Sequence, residues 1–134
     1  MYAILDYDAQ TNIKFYEMEI KNMREWTKKD LFNAKNNSIK AEDLTGEILR
    51  LVSAGTYSDV VKREDGEQME TLYGVVAMRE DNSTVYTASP SPTFVQAMSD
   101  MVDYATDIAP EDVFFTIVKK KSNNGRQFLS LELL

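Results

Sequence analysis

Between Pro92 and Pro110 the residues Phe94, Met98, Met101, Ala105 and Ile108 recur at spacings of four, three, four and three, with Val95 and Val102 beside them. That is the apolar stripe of an amphipathic helix. Ser91 stands where an N-cap belongs, and Pro92 takes the first helical position, where its missing N–H costs nothing. Pro110 closes the element. Asp100, Asp103 and Asp107 fall off the stripe and should face water.

After the helix the period changes from 3.6 to 2. Val113 to Val118 is β-branched and aromatic, and Phe128 to Leu133 returns after Asn124-Gly125, a strong signal for a two-residue hairpin turn. With Asn124 and Gly125 as the turn, Lys121 faces Phe128, Lys119 faces Ser130 and Val118 faces Leu131. Alternation then assigns Phe114, Val118, Leu129, Leu131 and Leu133 to the core. Lys119, Lys121, Arg126, Phe128 and Ser130 fall on the outer face, and Lys120 falls on the core side near the turn.

Thr71 to Arg79 and Thr84 to Ser89 read as a second hairpin around Asp81-Asn82, with Ala77 opposite Tyr86. This register turns Leu72, Val76, Met78 and Val85 inward, and Tyr73, Arg79 and Tyr86 outward. Glu47 to Val61 reads as a long strand interrupted at Ala54-Gly55, where glycine invites a bulge. Arg63 to Gln68 is a charged loop around Gly66. In residues 1–40, Tyr2 to Asp8 and Ile13 to Ile20 read as a hairpin, although Ile13, Tyr16, Ile20 and Met23 also fit a helix stripe. Thr27 and Asp30 have the spacing of a capping box for a short helix to about Lys35, and Trp26 reads as a packing residue.

From residue 44 onward the order is strand, strand, strand, helix, strand, strand. The fold class is therefore mainly β: a five-stranded OB-like Greek-key barrel with one helix between strands three and four. Residues 41–134 form the barrel and residues 1–40 an N-terminal extension, hairpin or short helix, packed on it within one domain.

Composition narrows the chemistry. The 134 residues include neither cysteine nor histidine, which removes disulfides, zinc fingers and Ser-His or Cys-His catalysis. No apolar run approaches the roughly 20 residues of a membrane span. The first eight residues carry two aspartates and no basic flank, so a cytoplasmic protein is expected.

The net charge of −7 is unevenly placed. Residues 41–112 carry four basic and fifteen acidic groups, whereas residues 113–134 carry four basic and one acidic. The cations Lys119, Lys121 and Arg126 surround Phe128, while Arg79 accompanies Tyr73 and Tyr86, and Tyr57 follows the glycine break. Aromatic faces interleaved with cations are what sequence-tolerant binding of a single strand requires, each base–aromatic stack contributing on the order of 1–3 kcal/mol. The candidate nucleic-acid-binding residues are Tyr57, Tyr73, Arg79, Tyr86, Lys119, Lys121, Arg126 and Phe128. Cross-strand packing is the other reading of Tyr73 and Tyr86, and packing on Phe115 or Ile117 that of Phe128.

The segments Ile39–Gly46, Val85–Ser89 and Val118–Glu132 resemble small OB-fold single-stranded DNA-binding proteins of bacteriophages and their relatives. The resemblance covers roughly residues 39–134. It implies binding of single-stranded DNA during replication or recombination, with no cofactor. Bacterial relatives end in an acidic recruitment tail, whereas this chain ends on Leu129–Leu134 inside an expected strand. Stacking does not separate DNA from RNA, and oligomeric state is left open.

Two other classes compete with this one. Asp43, Asp59, Glu64, Asp65, Glu111 and Asp112 offer oxygen ligands for a hard metal ion, but in no catalytic spacing, and no Gly-rich phosphate loop occurs. No enzymatic activity is therefore expected. An acidic protein-interaction or inhibitor module on the same barrel is the alternative, with a protein partner on the acidic face.

Overall fold

The computed structural model describes residues 23–107 and 112–134. The hairpin expected within Tyr2 to Ile20, and the helix stop at Pro110, lie outside the described residues.

The chain runs through helix α1 (Lys28–Asn36), a 3-10 turn (Ala41–Leu44), strands β1 (Leu49–Arg63), β2 (Gly66–Met78) and β3 (Thr84–Ser89), helix α2 (Pro92–Asp107), and strands β4 (Phe114–Lys121) and β5 (Gln127–Leu133). The strands form one antiparallel sheet in the order β3-β2-β1-β4-β5. The two end strands approach each other across a groove lined by Lys40, Ala41, Glu42, Ala88, Ser89 and Leu129. The start of α2 ties into that seam, where Thr93 Oγ1 donates to the Leu129 carbonyl at 2.7 Å. This is the OB-like barrel expected from the order of elements.

The helix stripe does what its spacing dictates. Phe94, Met98, Met101 and Ala105 are buried against Leu44, Leu49, Leu51, Val75, Ala77, Phe115 and Ile117. Asp100 and Asp103 are exposed. Fully burying such side chains contributes about 1.5–3 kcal/mol each, so α2 and the barrel interior form one core.

Both short hairpins correct the expected register by one residue, for one shared reason. Val118 pairs with Ser130, Lys119 with Leu129 and Lys120 with Phe128. Likewise Met78 pairs with Thr84 and Ala77 with Val85. Each loop has three residues rather than two, and its third residue takes the positive φ: Gly125 at 84° and Asn82 at 68°. The Asx residue before it locks the turn. Asp81 Oδ1 accepts from Ser83 N at 2.9 Å, and Asn124 Oδ1 accepts from Arg126 N at 3.3 Å.

A slip of one residue reverses faces. Phe115 and Ile117, not Phe114 and Val118, enter the core, and Phe114 is exposed. Tyr73 turns inward and is buried, while Val76 and Met78 lie on the outer face with Tyr86. Leu129 and Leu131 pack against the core as expected, whereas Leu133 at the strand end is exposed.

β1 is continuous through Gly55; its irregularity lies at Val52, between Leu51 and Ser53. The stretch expected as a loop around Gly66 is instead a tight turn, since Arg63 pairs with Gly66 and β2 starts there. Beyond the reach of β3 the β1–β2 hairpin is a two-stranded arm, fastened by Arg63 Nε donating to Glu70 Oε2 at 2.8 Å.

Candidate nucleic-acid interface

Trp26 and α1 lie over the outer face of β1–β2–β3. Gly55 and Gly74 are cross-strand partners, and a Cβ on either would come within 2.6 Å of indole carbons of Trp26. Those glycines form a flat bed for the indole. The segment is fastened on each side of Trp26. Arg24 N donates to the Val52 carbonyl at 2.9 Å, and the Arg24 guanidinium grips Asp30 through bonds of 2.6 and 2.9 Å. Thr27 and Asp30 form the expected capping box at the start of α1. Asp30 is buried, which alone pushes its carboxyl up, but the Arg24 and Thr27 donors outweigh burial and hold it below the usual carboxylate range.

Tyr57 stands beside this bed, its ring 3.3 Å from where a Cβ on Gly74 would sit. Lys35 of α1 reaches over the ring, with Nζ 5.8 Å from the centroid, inside cation–π range. Burial, with Asp59 adding to it, pushes the Tyr57 phenol up. Tyr86 pairs with Val76 on the same outer face and is half-buried. Tyr57 and Tyr86 therefore share one face. Tyr73 does not join them: it sits in the core, 9% exposed, its phenol pushed up by burial and by Asp103.

The tip of β4–β5 makes a separate patch. Phe128, half-buried on the outer face, lies opposite Lys120, which is exposed. Directly opposed residues bring their Cβ atoms within about 4.5–5.5 Å. Lys119 and Lys121 point to the other side of β4 than the sequence implied, so Lys120 replaces them as the cation beside Phe128. Lys119 is drawn toward Glu42, its Nζ 4.0 Å from the carboxylate. Lys121 and Arg126 are exposed and make no ion pair among the described residues.

Arg79 stands apart from both patches. Its Nε lies 2.9 Å from Glu47, and it lines a groove of about 270 Å³ with Ile48, Arg50, Met78 and Phe114. Among the described residues no group of three acidic side chains is placed to hold a metal ion.

Sequence reasoning missed Trp26, Lys35 and Lys120 as members of these surfaces. The signal for Lys120 was the Asx residue ahead of Gly125, which favours the three-residue loop. The signal for Trp26 was the pair of strand glycines, which often marks a close approach of another group.

The OB-like barrel carries half-buried aromatics, Tyr57, Tyr86 and Phe128, beside exposed cations on its strands and loops, and the OB-fold architecture includes binders of oligonucleotides and oligosaccharides. The chain matches the family model of the phage single-stranded DNA-binding protein, the Phi29 family, over residues 8–134, and it belongs to that family. No curated protein and no solved structure matches it.

Proposed function

We propose that this protein binds single-stranded DNA with little regard to base sequence, in phage replication or recombination within the host cytoplasm. Bases stack on Tyr57, Tyr86 and Phe128, and Lys119, Lys120, Lys121 and Arg126 contact phosphates. Arg79, tied to Glu47, has a lesser part, and the buried Tyr73 serves the core. The protein acts by binding, without chemistry. The observation that carries this reading is the β4–β5 tip: an aromatic opposite a lysine, with Lys121 and Arg126 exposed near the same turn, in a chain of this family.

Cations at this tip release counterions when they meet a strand, and their reversal replaces attraction by repulsion. The triple variant Lys120→Glu, Lys121→Glu, Arg126→Glu is expected to lose binding to oligo-dT at moderate salt while keeping its circular dichroism spectrum. Unchanged affinity removes the tip from the interface.

A second reading is a protein contact through the β1–β2 arm. Residues 57–72 carry five acidic and two basic side chains, and the paired Val60 and Met69 are 50% and 68% exposed. An acidic arm repels phosphate and suits a basic protein partner. Val60→Thr with Met69→Thr should leave oligo-dT affinity unchanged, whereas a fall in affinity would make the arm part of the DNA site.

A further inference from the structure

Helix α1 has a solvent face that is the reverse of an ordinary polar face. Asp30 and Ala34 are its buried residues, and Leu31 is half-buried. At about 100° per residue, Phe32 stands at the centre of the opposite side, with Lys28, Lys29 and Lys35 all within about 60° of it. Phe32 is 60% exposed, and all three lysines are exposed. None of the three makes an ion pair among the described residues, because the one carboxylate of the helix, Asp30, is turned inward and taken by Arg24. An aromatic left in water gains nothing from packing, and three unneutralised lysines around it repel one another. The arrangement has the two components of a single-strand platform, a π face and phosphate-seeking cations.

The helix is also held in place, which a binding platform needs. Its capping box, the Arg24–Asp30 bonds and the seating of Trp26 on Gly55 and Gly74 fix it to β1 and β2. Lys35 belongs to both surfaces: it borders Phe32 on the helix and lies over the Tyr57 ring on the barrel. A base stacked on Tyr57 would take the place of the Lys35 ammonium over the ring, next to the α1 face.

We propose that the exposed face of α1 is a further single-stranded nucleic-acid site, with Phe32 as a stacking platform and Lys28, Lys29 and Lys35 as phosphate contacts, continuing the strand's path from Tyr57. This rests on the reading of the protein as a single-strand binder. Phe32, Lys28 and Lys29 lie outside the patches already described, and Lys35 is shared with the Tyr57 patch.

The test is anisotropy titration of labelled oligo-dT with the full chain at several salt concentrations, for wild type, Phe32→Ala, Phe32→Trp and the double variant Lys28→Ser, Lys29→Ser. Circular dichroism and Trp26 emission report the fold. Phe32→Ala should weaken binding roughly 5- to 150-fold and Phe32→Trp should restore it. The lysine pair should lower the log–log salt slope by about 1.4, two phosphates at about 0.7 each. Wild type that binds, with all variants binding alike at unchanged slope, overturns the α1 site and leaves the general reading standing. Wild type that does not bind overturns both. A change in sedimenting mass without DNA, at unchanged oligo-dT affinity, assigns the face to a second copy of the chain and also overturns the proposal.

Discussion

Gly55 and Gly74 face each other across β1 and β2, and the indole of Trp26 fills the space their missing side chains leave. Trp26 and helix α1 are therefore seated on the outer face of the barrel beside Tyr57 and Tyr86. Their position depends on two hydrogens being no larger than hydrogens.

Gly55→Ala and Gly74→Ala should each lift Trp26 from its bed, since the new methyl group meets the indole within 2.6 Å. Overpacking of this kind costs about 1–3 kcal/mol. The protein has one tryptophan, so its emission reports the event directly. A red shift with a lower urea midpoint is expected, and unaltered emission in both variants would contradict the seating.

Asp30 links the extension to pH. Its carboxyl is held below its ordinary value, burial being outweighed by the Arg24 and Thr27 donors. A carboxylate with a depressed folded-state pKa binds fewer protons when folded than when unfolded. It therefore contributes stability that is complete above the unfolded value, about 3.9, and is lost as pH falls through the folded value. Trp26 emission should shift as pH is lowered below about 4. Asp30→Asn should weaken the clamp already at neutral pH, by about 1.5–3 kcal/mol as for hydrogen bonds to a charged group, and should remove this acid-dependent step.

The β4–β5 register makes a sharper claim about the tip. Lys120 lies opposite Phe128, whereas Lys121 lies opposite Gln127. Residues in contact with shared partners couple by about 0.5–3 kcal/mol, and separated ones add. A double-mutant cycle on oligo-dT affinity should show coupling for Phe128→Ala with Lys120→Ala and near-additivity for Phe128→Ala with Lys121→Ala. The opposite ranking would restore the two-residue turn.

Tyr73 and Tyr86 separate along the same lines. Truncating the buried Tyr73 to alanine should cost about 3–5 kcal/mol of stability, while Tyr73→Phe should leave oligo-dT affinity unchanged. Tyr86→Ala should do the reverse, lowering affinity with little loss of stability, as measured by urea unfolding beside anisotropy.

What the sequence made legible, and what it hid, follows from the reach of each signal. The stripe from Phe94 to Ala105 and the order of strands rest on periodicity, which neighbours in the chain determine, and they define the barrel. The faces of Phe128, Lys120, Tyr73 and Val76 depend on whether a hairpin loop has two residues or three. That choice turns on one backbone N–H hydrogen bond accepted by an Asx side chain, at Asp81 and at Asn124. A one-residue difference leaves every element in place and reverses which side chains meet a strand of DNA. Gly55 reads as a bulge because a strand glycine marks either a bulge or a close approach, and nothing local says that the approaching group is a tryptophan 29 positions earlier.

An acidic protein that holds single strands through a few half-buried aromatics and exposed cations must bind them in a salt-dependent way. The most direct measurement is the affinity of the wild-type chain for labelled oligo-dT between low and moderate salt. Tight binding at low salt is expected, weakening with a log–log slope of about 3 if the four cations of the β4–β5 segment each neutralise one phosphate. No binding at low salt, or an affinity indifferent to salt, would contradict the account.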